Sequence, residues 1–274
     1  MADIINAQYR QAFGRKSALS WLLWCNGLIF VALRLIAAMG NLSGHPQWID
    51  LSLSALSLPA DPATAFAAPC TWFTYMVTQY SPSHLIFNLL WLAWFGMFLQ
   101  SMCGNRIFLS VYVSGGLIGA LSFLSWAATV GGPGAGLIGS SASVMAVAVA
   151  ITAIHPNSRV WVFFGFMKLK WVAAIMIAIA LIFFSGNNPG TDFAHLGGAI
   201  AGLAAAALYH IYRRHTAHIA PGQPASATVQ TASASLSDTE LLNLLLDKIR
   251  RSGFDSLSQS ERSTLFNLSR RLKQ

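Results

Sequence analysis

The sequence predicts an all-α membrane protein: a bundle of six membrane-spanning helices followed by a small helical tail. Three observations predict it. Hydrophobic residues make up 55% of the 274 positions and charged residues only 9%, whereas a soluble domain carries about 25% charged residues. Six apolar runs recur, at roughly 18–39, 83–103, 107–129, 141–155, 168–185 and 191–212, and about 20 apolar residues cross the hydrocarbon layer. Lysine and arginine fall in alternate connections between those runs, the pattern that fixes orientation in a bilayer.

Taken in order, residues 1–17 form a polar, basic segment with Arg10, Arg15 and Lys16. No short apolar stretch with a cleavage site precedes the first run, which is therefore read as a retained helix. The first run carries Arg34 near its outer end, where a long side chain snorkels outward. The segment from Gly40 to Pro82 is a long outer loop. Its apolar stretch Ile49–Leu58 and its Trp72-Phe73-Thr74-Tyr75 sequence read as an element resting in the outer leaflet. Arg106 separates runs two and three. Gly131-Gly132-Pro133-Gly134-Ala135-Gly136 then leads, without helical character, into the fourth run. From Ser141 to Ile154 that run spans about 21 Å, less than the roughly 30 Å core. It must start below the membrane surface, where irregular backbone is tolerated only beside protein or water.

Arg159, Lys168 and Lys170 lie between runs four and five, and Arg213 and Arg214 follow run six. The connections after runs one, three and five hold no lysine or arginine, so both termini are expected in the cytoplasm. This distribution accounts for the net charge of +8 without nucleic acid. The membrane domain is expected over 18–215. Residues 216–237, rich in Ala, Ser, Thr, Gln and Pro, read as a flexible linker. In 238–274, Ser237-x-x-Glu240 and Ser258-x-x-Glu261 are capping-box signals that start two amphipathic helices. So small a hairpin has little core and is expected to dock on a partner chain or a second copy. Cys25, Cys70 and Cys103 have no metal-ligand spacing, and neither metal nor cofactor is expected.

Polar residues inside membrane runs are costly and point to function. His84 and Asn88 lie four apart on one face of run two. Ser141 opens run four, and His195 sits in the first turn of run six. Runs two, four and six all travel from outside to inside, so the four residues share one depth. A serine hydroxyl becomes nucleophilic when a base within about 3 Å takes its proton, which is the part available to His195. Donors for a tetrahedral oxyanion could come from the N–H groups at the start of run four, the Asn88 amide and the His84 ring. A carboxylate third member is not expected: the one acid near the membrane runs is Asp192, better explained by helix capping. Gly198 and Gly202 share the His195 face, and Ala142, Ala146 and Ala150 form a small-residue stripe on run four. Such stripes let helices approach closely.

His84-Leu85-Ile86-Phe87-Asn88 resembles the H-x-x-x-N motif of the rhomboid family. Gly139-Ser140-Ser141-Ala142-Ser143 looks like its G-x-S-G-x motif, and Ala194-His195-Leu196-Gly197-Gly198 its A-H-x-x-G motif. The resemblance covers roughly 18–212. It implies a six-helix rhomboid bundle, a Ser141–His195 dyad, an oxyanion hole from His84, Asn88 and the Ser141 N–H, and packing at the site by Gly139, Ala142, Gly198 and Gly202. It also implies cleavage of transmembrane or membrane-adjacent segments of other proteins. The expected setting is a bacterial inner membrane, with the site opening to the periplasmic side. Ala142 stands for the usual Gly, Met145 for a frequent aromatic residue, and Gln100 for a frequent Glu, which predicts a weakened structural hydrogen bond. The first loop lacks the family's Trp-Arg pair, Trp72 being followed by Phe73. A catalytically inactive rhomboid-like protein that binds client helices is the alternative. A small transporter would show internal repeats or midplane ionisable residues, and neither is evident.

Overall fold

A computed structural model describes residues 17–130, 135–162, 165–182, 189–219, 237–252 and 257–271. The chain forms two compact units that divide between Arg213 and Arg214.

In the first unit, α1 (Ala18–Leu42) starts where Ser17 accepts a hydrogen bond from the Ser20 N–H. Gln100, buried at the far end of another helix, holds the same turn. Its Oε1 accepts from the Leu19 N–H at 2.9 Å and its Nε2 donates to Ser17 Oγ at 2.9 Å. Glutamine here supplies a donor as well as an acceptor to the start of α1. The outer loop is largely helical: α2 (Trp48–Leu56), α3 (Pro62–Ala67), α4 (Thr71–Thr74) and a 3₁₀ turn at Tyr75–Val77. None of the α2 residues is buried.

This loop is tied down without the Trp-Arg pair. The Trp72 indole donates to Ala65 O at 2.9 Å and Thr74 Oγ1 to Leu56 O at 2.8 Å. Leu58 and Leu137 exchange two backbone bonds, joining the loop to the segment before the fourth run. The Tyr75 hydroxyl donates to Gly116 O at 2.6 Å, and the Tyr112 hydroxyl returns the tie to Met76 O at 2.8 Å.

Proline at its first turn opens α5 (Pro82–Cys103), and Gly104, at φ 91°, ends it. Then follow α6 (Asn105–Val130) and α7 (Ser141–Ile154). Ten of the fourteen α7 residues are buried, which makes α7 the central helix; it packs on α5 and α6. The sequence predicts no element between runs four and five. Instead β1 (Arg159–Val162) and β2 (Gly165–Lys168) pair antiparallel before α8 (Leu169–Ile182) and α9 (Pro189–Ile219). The core is built around Leu92, Phe95, Phe108, Tyr112 and Phe123, each 2% exposed or less.

The helices α1, α5, α6 and the 189–215 part of α9 are long and apolar enough to cross a membrane; α7 is apolar but short. Arg34, expected to snorkel, lays its guanidinium 4.7 Å from the centre of the Tyr80 ring. Pro189, Gly190 and Thr191 belong to α9, and Gly190 packs on Trp126 and Phe123; Ser185–Asn188 lie outside the described residues. So do residues 131–134 of the glycine-rich approach, while 135–140 are non-helical, as expected. α9 also runs to Ile219, into the expected linker, whose residues 220–236 lie outside the described residues.

In the second unit, α10 (Asp238–Ser252) and α11 (Gln259–Arg271) both start with the expected boxes. The Ser237 N–H donates to Glu240 Oε2 at 3.0 Å, and the Ser258 N–H to Glu261 Oε2 at 2.7 Å. Leu241, Leu245, Leu257 and Leu268 form its small core. Lys248 bonds both Glu261 oxygens, at 2.6 and 2.8 Å.

Candidate active site

Ser141 is the first residue of α7. Its position depends on the turn before it, where Gly139 adopts φ 119°, a conformation that disfavours side chains. The Gly139 N–H donates to Tyr75 O at 2.9 Å, fixing that turn to the outer loop. A Cβ on Gly139 would lie 2.7 Å from His84 Cε1. The His84 ring therefore rests directly on this glycine, and both backbone and space require it.

His195 Nε2 lies 2.8 Å from Ser141 Oγ. The chain brings these groups, 54 residues apart, together through glycine. A Cβ on Gly198 would collide with the Ala142 carbonyl, and one on Gly202 would sit 2.5 Å from the Ala146 carbonyl. Thus α9 rests backbone to backbone on α7. On the other side, a Cβ on Gly119 of α6 would lie 2.6 Å from the Ala142 methyl and 3.0 Å from the Ala194 carbonyl. The methyl of Ala142 occupies the notch that Gly119 leaves open.

At the start of α7 the N–H groups of Ser141, Ala142 and Ser143 precede the helical ladder, whose first rung joins the Val144 N–H to Ser140 O at 2.9 Å. They form the positive end of the helix beside the Ser141 hydroxyl. Asn88 lies one turn along α5 from His84, 5% exposed. Its Nδ2 donates to His84 O at 2.9 Å and to Gln79 Oε1 at 3.2 Å.

Gln79, fully buried, is the hub of a polar chain. Its Nε2 donates to Asn26 Oδ1 at 2.8 Å and to Ser140 Oγ at 3.2 Å. Asn26 Nδ2 in turn donates to Leu22 O at 2.8 Å. Backbone carbonyls at both ends accept only from NH₂ groups, so Leu22 O and His84 O fix the orientation of all three amides. The chain ties α1, the outer loop, α5 and the residue before Ser141 into one unit.

A family model described as Rhomboid domain matches residues 68–212, more than half of the chain and all three motif segments. The chain belongs to the rhomboid family. A search among curated proteins returned no match. Membership makes this rhomboid an integral membrane protein built as a helical bundle.

Within this rhomboid, the structure places Ser141 and His195 in hydrogen-bond contact and His84 above Gly139. It does not bond Asn88 to Ser141; both Nδ2 contacts run to Gln79 and His84. Asp192 falls in the first turn of α9, where a carboxylate suits the helix dipole. Sequence reasoning missed Asn26, Gln79, Ser140 and Tyr112. Asn26 carried a usable signal, since an amide in the middle of an apolar run is costly. Gln79 carried none, because it lies outside every run and its burial depends on how the loop folds back.

Proposed function

We propose that this rhomboid is an intramembrane serine endopeptidase with Ser141 as nucleophile and His195 as general base. The 2.8 Å contact between Ser141 Oγ and His195 Nε2 carries the proposal. The ring takes the hydroxyl proton as the oxygen attacks a peptide carbonyl, then gives it to the leaving amine. The Ser141 N–H, the His84 ring and the Asn88 amide are the proposed oxyanion donors. Asn88 donates only by exchanging its bond to Gln79 or to His84 O for one to the oxyanion. Water then hydrolyses the acyl-enzyme with His195 again as base.

The substrate class is a transmembrane or membrane-adjacent segment of another protein, opened to extended backbone near its outer end and admitted between α5 and α8. The bundle is read as six spans with both termini cytoplasmic and the site toward the outer side of a bacterial inner membrane. No metal or cofactor takes part. Ser141→Ala and His195→Ala are each expected to abolish cleavage of a transmembrane reporter. Labelling by a fluorophosphonate is expected in the parent and lost in Ser141→Ala. Undiminished cleavage by either variant rejects the assignment, and an unlabelled, inactive parent favours a client-binding rhomboid without catalysis.

A further inference from the structure

The β1–β2 hairpin takes no part in the proposed chemistry, yet it gathers exposed charges of one sign. Arg159 pairs with Lys168 across the ladder. Directly opposite residues share a face and lie about 4.5–5.5 Å apart at Cα, and like charges there destabilise the pair. The neighbouring pair, Val160 and Met167, packs into the core, so Arg159 and Lys168 face outward, and both are exposed. Lys170 is exposed two residues on, its ammonium 5.7 Å from the centre of the Trp171 ring. Phe166 and Trp171 are 64% and 58% exposed. The hairpin thus presents three cations and two large aromatics together.

Among the described residues of the membrane unit, no acid shares the hairpin's end of the helices. Between residues 17 and 219 the acids are Asp50, Asp61 and Asp192. The first two lie in the outer loop and the third at the start of α9, at the opposite ends of the helices from the hairpin. Lys248 pairs with Glu261 within the second unit. That unit is itself cationic: 214–274 holds eight Lys and Arg against five Asp and Glu. A like-charged pair held in register and flanked by exposed aromatics is a surface that negative charge from outside would favour.

We propose that the outer face of this hairpin, Arg159, Lys168 and Lys170 with Phe166 and Trp171, binds the headgroups of anionic phospholipids in the leaflet that surrounds it. Aromatic rings suit the headgroup level and each Lys or Arg near an anionic surface contributes about 1 kcal/mol. The inference rests on the proposed reading in which α7 and α8 lie in the bilayer and their joined ends meet its cytoplasmic surface. It does not depend on catalysis.

Native mass spectrometry of the full chain, equilibrated with mixed phosphatidylglycerol and phosphatidylcholine, tests it. The parent is expected to retain phosphatidylglycerol preferentially. Each of Arg159→Gln, Lys168→Gln and Lys170→Gln is expected to reduce that retention about fivefold, and the charge-keeping Arg159→Lys to leave it unchanged. Arg106→Gln, on a different connection, serves as the control and keeps retention. Should the triple variant fail to insert, the single variants carry the test. Equal retention of the two lipids by the parent overturns the proposal. So does a hairpin variant that retains as much phosphatidylglycerol as the parent. Displacement of the lipid by inorganic phosphate alone, or by a soluble acidic peptide, would assign the face to those ligands instead. Cleavage of a transmembrane reporter, followed in parallel, separates loss of this site from loss of the proposed protease.

Discussion

At the scale of single residues, the candidate site is held by amides as much as by the serine and histidine. Gln79 reaches Asn26, Asn88 and Ser140 at once. Gln79→Leu leaves three buried polar groups short of a partner, at about 1–3 kcal/mol each. It is expected to lower the thermal midpoint and reduce kcat for a reporter, with KM little changed, as measured in detergent or bilayers. Gln79→Glu keeps the acceptor for Asn88 but loses the donors to Asn26 and Ser140. Activity is therefore expected between those of the parent and the leucine variant. If Asn88 donates to the oxyanion, Asn88→Ala costs about 10²-fold in kcat; single-turnover kinetics would check this. The meeting of Ser141 and His195 was legible in the sequence because four polar residues share one depth in apolar runs, with a glycine-rich approach to Ser141, whereas a serine alone in such a run is most often a packing residue. The residues that hold that pair were not legible, since their partners come from different elements and only folding reveals the contacts.

Among the elements, the approach of α9 to α7 depends on missing side chains. Gly198→Leu would drive its side chain into the Ala142 backbone, so the helices must part. Loss of cleavage is expected with helicity retained, read by reporter assay and far-ultraviolet circular dichroism. Overpacking of this kind costs about 1–3 kcal/mol or more. The sequence showed this seam, because small residues recur at helical spacing on both helices. It also showed the two tail helices, because a capping box is a local signal. It did not show the β1–β2 hairpin, a short element inside a basic, aromatic connection where periodicity is brief.

The tail makes a pH prediction. Burial tends to raise the pKa of Glu261, 4% exposed, but Lys248 and Ser258 outweigh it and hold the carboxyl below its usual value. A depressed carboxylate contributes stability above its unfolded pKa of about 4.5, and loses that contribution as pH falls through the folded value. Amide exchange in 238–271 of the full chain is expected to quicken as pH drops below that range, after correction for intrinsic rates. Glu261→Gln is expected to remove most of this pH dependence.

For the whole molecule, the charge pattern and the two units set the expectations. A reporter fused after Gln274 is expected on the cytoplasmic side, as tested by paired reporters active on one side only. Removing 220–274 is expected to leave the unfolding midpoint of the membrane unit unchanged, because that unit holds its own core. Fold class was legible from apolar runs and basic connections. Run length proved a weaker guide: α7 is fourteen residues long, and its place at the centre follows from burial that no run length reveals.

That central placement separates α7 from the lipid. With most of its surface against other helices, its hydrophobic length need not match the thickness of any bilayer. Hydrophobic mismatch acts on helices that touch acyl chains, here α1 with its exposed Trp21, Trp24, Leu28 and Leu35. The depth of Ser141 is therefore set by protein packing, and thinner or thicker membranes would tilt the outer helices before they moved the nucleophile.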